Sequence, residues 1–200
     1  MFDSRLRPLI DPPLNRLGRA IAGLGIGADA VTLLGIAVGL AAGLAIADGL
    51  FLVGLVLILL NRLLDGLDGA VARATRLSDF GGYLDIVADY AFYVAVPLGF
   101  GFAAQANLAY ALVLVASFTL TGISFLSFAV IAAKRGLQTD AHGKKSFFYN
   151  TGLAEGAETI IAFVLMCLFP TAFPVIAAIF AGLCVVTAIQ RSFAAYAAFK

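Results

Sequence analysis

The sequence predicts an all-α membrane protein in which six transmembrane helices follow an N-terminal amphipathic interfacial helix. Three observations predict it: 62% of the residues are hydrophobic and only 12% are charged, several long runs carry no charge, and the basic residues fall in alternate connections. Soluble domains carry about 25% charged residues, so this chain has too little polar surface to face water. A net charge of +1 gives no reason to expect a nucleic-acid partner.

Residues 1–28 are expected to form an amphipathic juxtamembrane segment. Basic and apolar side chains are interleaved along it, which is typical of a helix that lies on an anionic leaflet. Three prolines at positions 8, 12 and 13 are expected to interrupt this helix, so we predict that it begins at Leu14. A disordered basic tail is the alternative interpretation of the same residues.

Residues 29–200 are expected to form one membrane domain with six spanning helices. A spanning helix needs roughly 17–25 mostly apolar residues. Two charge-free runs are too long for one span, and we expect breaks near 101–107 in the first and at Pro170 and Pro174 in the second. The expected spans are 30–47, 50–76, 82–103, 107–133 and the two halves of 159–190.

The distribution of basic residues predicts the orientation. All thirteen Lys and Arg residues lie on one side of the predicted topology. Some precede span one, some lie at the end of span two or between spans four and five, and the rest lie at the end of span six. The opposite connections, near 48–49, 101–107 and 170–174, contain none. By the positive-inside rule, both termini and the basic loops face the cytoplasm.

Four aspartates lie near the cytoplasmic ends of spans two and three. Asp65 and Asp68 share one face of a helix, and Asp85 and Asp89 share one face of the next helix. Consecutive helices joined by a short loop pack as antiparallel neighbours, so the four carboxylates are expected to converge. The alternative is that they pair with nearby arginines and anchor the helix end; these arginines are Arg62, Arg73 and Arg76.

Converging carboxylates are the ligands of a hard divalent cation. Clustered anions repel one another unless cations or protons compensate them. Oxygen ligands suit Mg²⁺ or Mn²⁺ rather than Zn²⁺, and two such ions hold a diphosphate in many enzymes. Gly69 and Ala72 lie on the same face as Asp68 and leave space for a ligand to approach the helix.

These residues resemble the signature of the CDP-alcohol phosphotransferase family. That signature is DxxDGxxAR, a spacer, and then GxxxDxxxD. The chain has Asp65-Gly-Leu-Asp68-Gly69-Ala-Val-Ala72-Arg73 followed by Gly81-Gly-Tyr-Leu-Asp85-Ile-Val-Ala-Asp89. The spacer, residues 74–80, is shorter than is usual in the family, but it falls in the loop between the helices and leaves both ligand faces intact.

The resemblance implies an enzyme of phospholipid biosynthesis. Members transfer the phosphoryl-alcohol group of a CDP-alcohol, in bacteria often CDP-diacylglycerol, to a small alcohol acceptor and release CMP. It implies a multi-pass protein of the inner membrane with two Mg²⁺ or Mn²⁺ ions and an active site that faces the cytoplasm. Asp89 matches the aspartate that acts as ligand and catalytic base. The implied metal ligands are Asp65, Asp68, Asp85 and Asp89, and the implied CDP-binding residues are Asp65, Asp68, Gly69, Ala72, Arg73 and Gly81.

The acceptor is less well defined by the sequence. A phosphorylated acceptor needs basic residues beside the site, and the candidates are Lys134, Arg135, Lys144, Lys145 and Arg191. Positive-inside bias alone would also place these residues there. Glu155 and Glu158 near the start of span five suit an amino or polyhydroxyl acceptor instead, or they cap a helix N-terminus.

Two other classes of membrane protein also carry aspartates at a cation site. A transporter or channel with an acidic cation site also carries intramembrane aspartates, but it predicts charges near the middle of the bilayer. A prenyltransferase also binds Mg²⁺-diphosphate, but two separate Asp-rich motifs are expected there. A stripe of small residues on span one, Gly35 to Gly43, permits close packing within the chain or between two chains, so a homodimer stays open.

Overall fold

The computed structural model describes residues 3–136 and 152–200, with side chains from residue 10 onward. These residues form seven α-helices and no strand. The helices are α1 (Asp3–Gly23), α2 (Ala28–Ala47), α3 (Phe51–Ala74), α4 (Asp79–Ala103), α5 (Leu108–Lys134), α6 (Gly156–Leu168) and α7 (Phe173–Phe199). One-turn 3₁₀ helices, Gln105–Asn107 and Pro170–Ala172, lie at the two predicted breaks, which are therefore confirmed.

Helix α1 begins earlier than the sequence predicts. It starts at Asp3 and continues through all three prolines, so the predicted start at Leu14 is wrong. A proline holds φ near its helical value and removes only one backbone donor, so it weakens a helix without always ending it. Helix α1 packs on α3, where a Cβ atom at Gly18 would lie 2.7 Å from the Cβ of Ala70.

Four of the described helices are long and apolar enough to cross a membrane: α2, α4, α5 and α7. Helix α3 has 24 residues, but it carries two arginines and two aspartates. Helix α6 has 13 residues, which corresponds to about 20 Å, against about 30 Å for the hydrocarbon core of a bilayer. Length and composition therefore support four spans, and the prediction of six is not confirmed.

Aromatic side chains fill the core between α4, α5, α6 and α7. Phe100 stacks on Phe173 with ring centroids 4.7 Å apart, and Phe92 packs edge-on against Phe163 at 5.6 Å. Large apolar side chains also cover the outside of the helices; Phe193, for example, is 72% exposed. An apolar exterior around an aromatic core is expected for helices that face lipid.

The small-residue stripe of α2 packs inside the chain, against α3 and α4. A Cβ atom at Gly39 would lie 3.1 Å from Nδ2 of Asn61, and one at Gly43 would lie 2.6 Å from the carbonyl oxygen of Ala95. The glycines therefore let α2 approach both helices that carry the aspartates. Because the stripe is used within the chain, it gives no argument for a homodimer.

Candidate active site

A tight connection between α3 and α4 places the two pairs of aspartates opposite each other. Helix α3 ends at Ala74, and α4 begins four residues after Thr75, at Asp79. Ser78 caps α4, because its hydroxyl oxygen accepts a hydrogen bond from the amide of Gly81 at 3.0 Å. The polypeptide therefore turns back within a few residues, and the signature residues of both helices lie at the same end of the helix pair.

Arg62 joins the two pairs of aspartates. Its Nη1 atom lies 2.9 Å from Oδ1 of Asp89 on α4 and 3.7 Å from Oδ2 of Asp65, one turn further along α3. The Arg62 side chain is only 18% exposed. A guanidinium ion therefore bridges carboxylates from both helices, as the ion-pair alternative predicted for this arginine.

The Arg62 side chain is itself held in place. Nε and Nη2 donate to Oδ1 of Asn61 at 2.9 and 2.6 Å. Asn61 in turn donates from Nδ2 to the carbonyl oxygen of Gly35 on α2 at 2.8 Å. The guanidinium carbon lies 4.4 Å from the ring centroid of Phe92, within range of a cation–π interaction. These contacts fix the position of the positive charge.

Asp68 is the most deeply buried of the four aspartates. It is 6% exposed, and its Oδ2 atom accepts a hydrogen bond from the hydroxyl of Thr32 on α2 at 2.7 Å. A buried carboxylate without a partner would cost the full desolvation penalty. Thr32 supplies that partner and ties α2 to the site.

The four aspartates match a divalent cation in donor type. Asp65 lies within range of the charges of Asp68, Asp85 and Asp89, and all four supply only oxygen donors, which Mg²⁺ and Mn²⁺ prefer. Within residues 3–136 and 152–200, however, no group of three Asp, Glu, His or Cys side chains lies close enough together to bind one metal ion in this arrangement. Arg62 occupies the space between Asp65 and Asp89. The metal-ligand set therefore stays a prediction.

The predicted CDP-binding residues lie around the same end of the helix pair. Gly69 and Ala72 are half-buried on α3, and Gly81 lies on the first turn of α4. Arg73 is exposed and donates from Nε and Nη2 to Oδ1 of Asn15 on α1, at 3.2 and 3.0 Å. Arg73 therefore binds α1 rather than an aspartate, unlike Arg62.

A cavity of about 140 Å³ lies between α4, α5, α6 and α7. Tyr90, which directly follows Asp89, and Tyr93, one turn further, form its wall on α4. Its charged lining residues in the described part of the chain are Arg191 of α7 and Glu155, the N-cap residue of α6. The cavity therefore carries both signs of charge, and Asp89, which precedes Tyr90 in the chain, is not itself among its lining residues.

The structure brings only two of the predicted acceptor residues, Glu155 and Arg191, into this cavity. Arg191 donates from Nη1 to the carbonyl oxygen of Thr121 at 3.0 Å. Arg135 instead donates from Nη2 to the carbonyl oxygen of Phe199 at 2.6 Å. The other predicted residues do not line the cavity or are not described: Lys134 ends α5, Glu158 lies on the first turn of α6, and Lys144 and Lys145 lie outside the described residues.

Two residues of the site, Asn61 and Thr32, are not among the site residues predicted from the sequence. Asn61 interrupts the apolar run of α3 immediately before Arg62, and polar residues within such runs are costly and often functional. That signal could have identified Asn61. Thr32 gives no comparable signal, because its partner Asp68 lies on another helix, 36 residues away.

Comparisons with known proteins place this site in a defined family. The family model described as CDP-alcohol phosphatidyltransferase matches residues 26–190. The inner membrane protein YnjF of Escherichia coli is 47% identical over 201 residues, which cover 100% of this chain and 98% of that protein. An archaetidylinositol phosphate synthase of Pyrococcus horikoshii is 40% identical over 88 residues, 43% of this chain and 46% of that enzyme.

Solved structures share the fold. The phosphatidylinositol phosphate synthase of Mycobacterium tuberculosis with CDP-DAG bound superposes with a TM-score of 0.66 at 23% identity, covering 92% of this chain and 93% of that one. The same enzyme has also been solved in complex with manganese and citrate, with a TM-score of 0.66 and 23% identity, covering 92% and 88% of the two chains. At this identity the likeness establishes the fold alone.

Proposed function

Because the chain belongs to the CDP-alcohol phosphatidyltransferase family, we propose that it transfers the phosphatidyl group of CDP-diacylglycerol to a small alcohol and releases CMP. The observation that carries the proposal is the complete signature on α3 and α4, two helices that both pack on α2 and carry Asp65, Asp68, Asp85 and Asp89 at the same end. The fold shared with a CDP-DAG-bound enzyme supports this choice of donor. The family match also favours a transferase over a transporter or channel with an acidic cation site.

We assign the four aspartates to two divalent cations, Mg²⁺ or Mn²⁺. When bound, these ions would neutralise the diphosphate of the donor and stabilise the charge that develops on the leaving CMP. Asp65, Asp68 and Asp85 act only as ligands in this assignment, and Asp89 acts as ligand and base. The manganese complex of the solved relative supports the choice of metal.

The chain's own residues bind and orient the two substrates. Gly69, Ala72 and Gly81 leave space for the cytidine diphosphate between α3 and α4, and Arg73 offers a positive charge at its edge. Asp65 and Asp68 would hold the ions that neutralise the diphosphate of this group. The acyl chains of the donor remain in the lipid, because the helices expose an apolar surface to lipid next to the end of α3 and α4 that carries the aspartates.

The transfer itself is one displacement at phosphorus. The acceptor hydroxyl oxygen forms a bond to the phosphorus that carries diacylglycerol. The bond from that phosphorus to the bridging oxygen breaks, and CMP leaves with the electron pair. Asp89 takes the hydroxyl proton. Since Arg62 contacts only Oδ1 of Asp89, we assign the proton to Oδ2.

We place the acceptor in the cavity between α4 and α7, beside Asp89. Among the described residues, Arg191 and Glu155 are the charged ones that line it. Together they offer hydrogen-bond donors and acceptors, which suit the hydroxyl groups of an amino alcohol or a polyol. Lys134, Arg135 and Glu158 lie outside the cavity lining, so we do not assign them contacts with the acceptor.

We place the enzyme in the inner membrane with six spans, both termini and the site on the cytoplasmic side, and α1 along the membrane surface. The name of the Escherichia coli relative, an inner membrane protein, supports this location. The basic residues at one side of the predicted topology support the orientation. The nucleotide-linked donor would then be bound from the cytoplasm.

An assay of CMP release tests the proposal. The purified protein, with Mn²⁺ or Mg²⁺ and CDP-diacylglycerol, is offered glycerol 3-phosphate, inositol, inositol phosphate, serine and simple diols one at a time. We expect metal-dependent CMP release with at least one acceptor and a phospholipid product of matching mass. Absence of both CMP release and CDP binding with every acceptor would argue against the enzyme assignment.

A further inference from the structure

Arg62 lies among the aspartates although the family signature begins three residues later, at Asp65. Its positive charge contacts Asp89 at 2.9 Å and Asp65 at 3.7 Å. The transfer reaction itself needs no arginine at this position. Arg62 thus places a monovalent cation inside a cluster of carboxylates that is proposed to bind divalent metal.

The contacts around Arg62 make it a permanent part of the cluster. Asn61 accepts from two of its nitrogen atoms and is itself bonded to the backbone of Gly35 on a third helix. The face of the guanidinium packs on the ring of Phe92. A side chain held by three helices leaves its place only by breaking these contacts, which favours the same position for its charge when a metal ion binds.

We infer that Arg62 is a built-in counter-ion that stabilises the aspartate cluster without metal and weakens the binding of divalent cations to it. This inference rests on the metal site of the proposed function. Arg62, which is not part of the signature, would thus lower the affinity of the aspartates for divalent cations.

The physical reason is competition for the same carboxylates. Nη1 of Arg62 is hydrogen-bonded to Oδ1 of Asp89 and forms an ion pair with Asp65. A divalent cation that binds these two aspartates therefore has one fewer free ligand oxygen, and it lies close to a positive charge. Like charges repel at this distance, and the partial burial of Arg62 strengthens the repulsion. Conversely, without Arg62 the four carboxylates would repel one another, and the protein would depend on metal for its stability.

The test uses the full chain in detergent micelles and measures Mn²⁺ binding directly, by the electron paramagnetic resonance signal of free Mn²⁺. Arg62→Met removes the charge and keeps the length of the side chain. Arg62→Lys keeps the charge but cannot reproduce the two contacts to Asn61. Arg76→Met removes an exposed charge just after α3 and serves as the control.

We expect Arg62→Met to bind Mn²⁺ about tenfold more tightly than the unaltered protein, because a repelling charge has been removed. Arg62→Lys and Arg76→Met should stay within about threefold of it. The thermal midpoint of Arg62→Met should be lower in EDTA, and Mn²⁺ should raise it by more than it raises that of the unaltered protein, since tighter binding adds more stability.

Three outcomes would overturn the inference. If both Arg62 variants bind Mn²⁺ more weakly, Arg62 orients Asp89 for the metal instead of competing with it. If Mn²⁺ binding is lost in Asp85→Asn but unchanged in Arg62→Met, the metal site exists and only the role of Arg62 is wrong. If neither the unaltered protein nor Arg62→Met binds Mn²⁺, the inference and the proposed metal site both fail.

Discussion

Arg62 of α3 donates to Asp89 of α4 at 2.9 Å, across the two helices that carry the signature. The contact joins the aspartate proposed as the base to a residue that the signature does not include. It also means that the protein itself supplies one positive charge to the four carboxylates before any ligand is considered.

Asp89→Asn should lower the rate of CMP release by at least about 100-fold, because an amide cannot accept the proton of the acceptor. The amide oxygen can still accept a hydrogen bond from Arg62, so the protein should fold and elute from a sizing column like the unaltered one. Asp79→Asn, which changes an exposed aspartate on the first turn of the same helix, is the control and should keep its activity. A comparable rate for Asp89→Asn and Asp79→Asn would exclude Asp89 as the base.

Thr32→Val should destabilise the protein by about 1–3 kcal/mol, because the buried Asp68 carboxylate loses its hydroxyl donor. The measurement is thermal unfolding in detergent with EDTA present, so that metal does not compensate for the lost contact. Thr32→Ser keeps the hydroxyl and is the matched control. Equal midpoints for the Val and Ser variants would show that the 2.7 Å contact contributes nothing to stability.

Gly43→Ala should destabilise the protein by about 1–3 kcal/mol, because the added methyl group would push α2 away from α4. A Cβ atom there would lie 2.6 Å from the carbonyl oxygen of Ala95. Gly182→Ala is the control, since a Cβ at that helical position meets nothing within 4 Å. It should be neutral or slightly stabilising. If both variants unfold at the same temperature, the close approach of α2 and α4 is not as described.

Arg191→Met should raise the KM for the acceptor at least about tenfold while leaving the KM for CDP-diacylglycerol within about threefold, because an acceptor hydroxyl loses a charged hydrogen-bond donor in the cavity. The comparison needs initial rates at varied concentrations of each substrate in turn. Arg135→Met is the control, since Arg135 contacts the end of α7 rather than the cavity. A rise in the KM for the donor instead would move Arg191 to the CDP site.

The sequence predicts the parts of this protein that depend on local pattern. Charge-free runs predict the helices and their breaks near 101–107 and at Pro170 and Pro174, and the spacing of three and four residues predicts which aspartates share a face. The prolines do not end α1, because each one weakens a helix without always breaking it. The same runs predict six spans, whereas α3 carries four charged residues and α6 has only 13 residues.

The contacts between helices could not be predicted from the sequence. The hydrogen bond from Thr32 to Asp68 depends on how α2 packs on α3. The ion pair of Arg62 with Asp89 depends on which arginine of α3 lies close enough to α4. Small residues at Gly39 and Gly43 predict close packing, but they do not say against which helix or whether within one chain. Tertiary packing determines which of these contacts form, and it cannot be derived from a single sequence.

The central claim is that aspartates from α3 and α4 bind divalent metal together. The most direct measurement is anomalous diffraction at the manganese absorption edge from crystals grown with Mn²⁺ and a CDP-linked donor. We expect manganese density enclosed by Asp65, Asp68, Asp85 and Asp89. Density at another site, or none at these carboxylates at saturating Mn²⁺, would contradict the account.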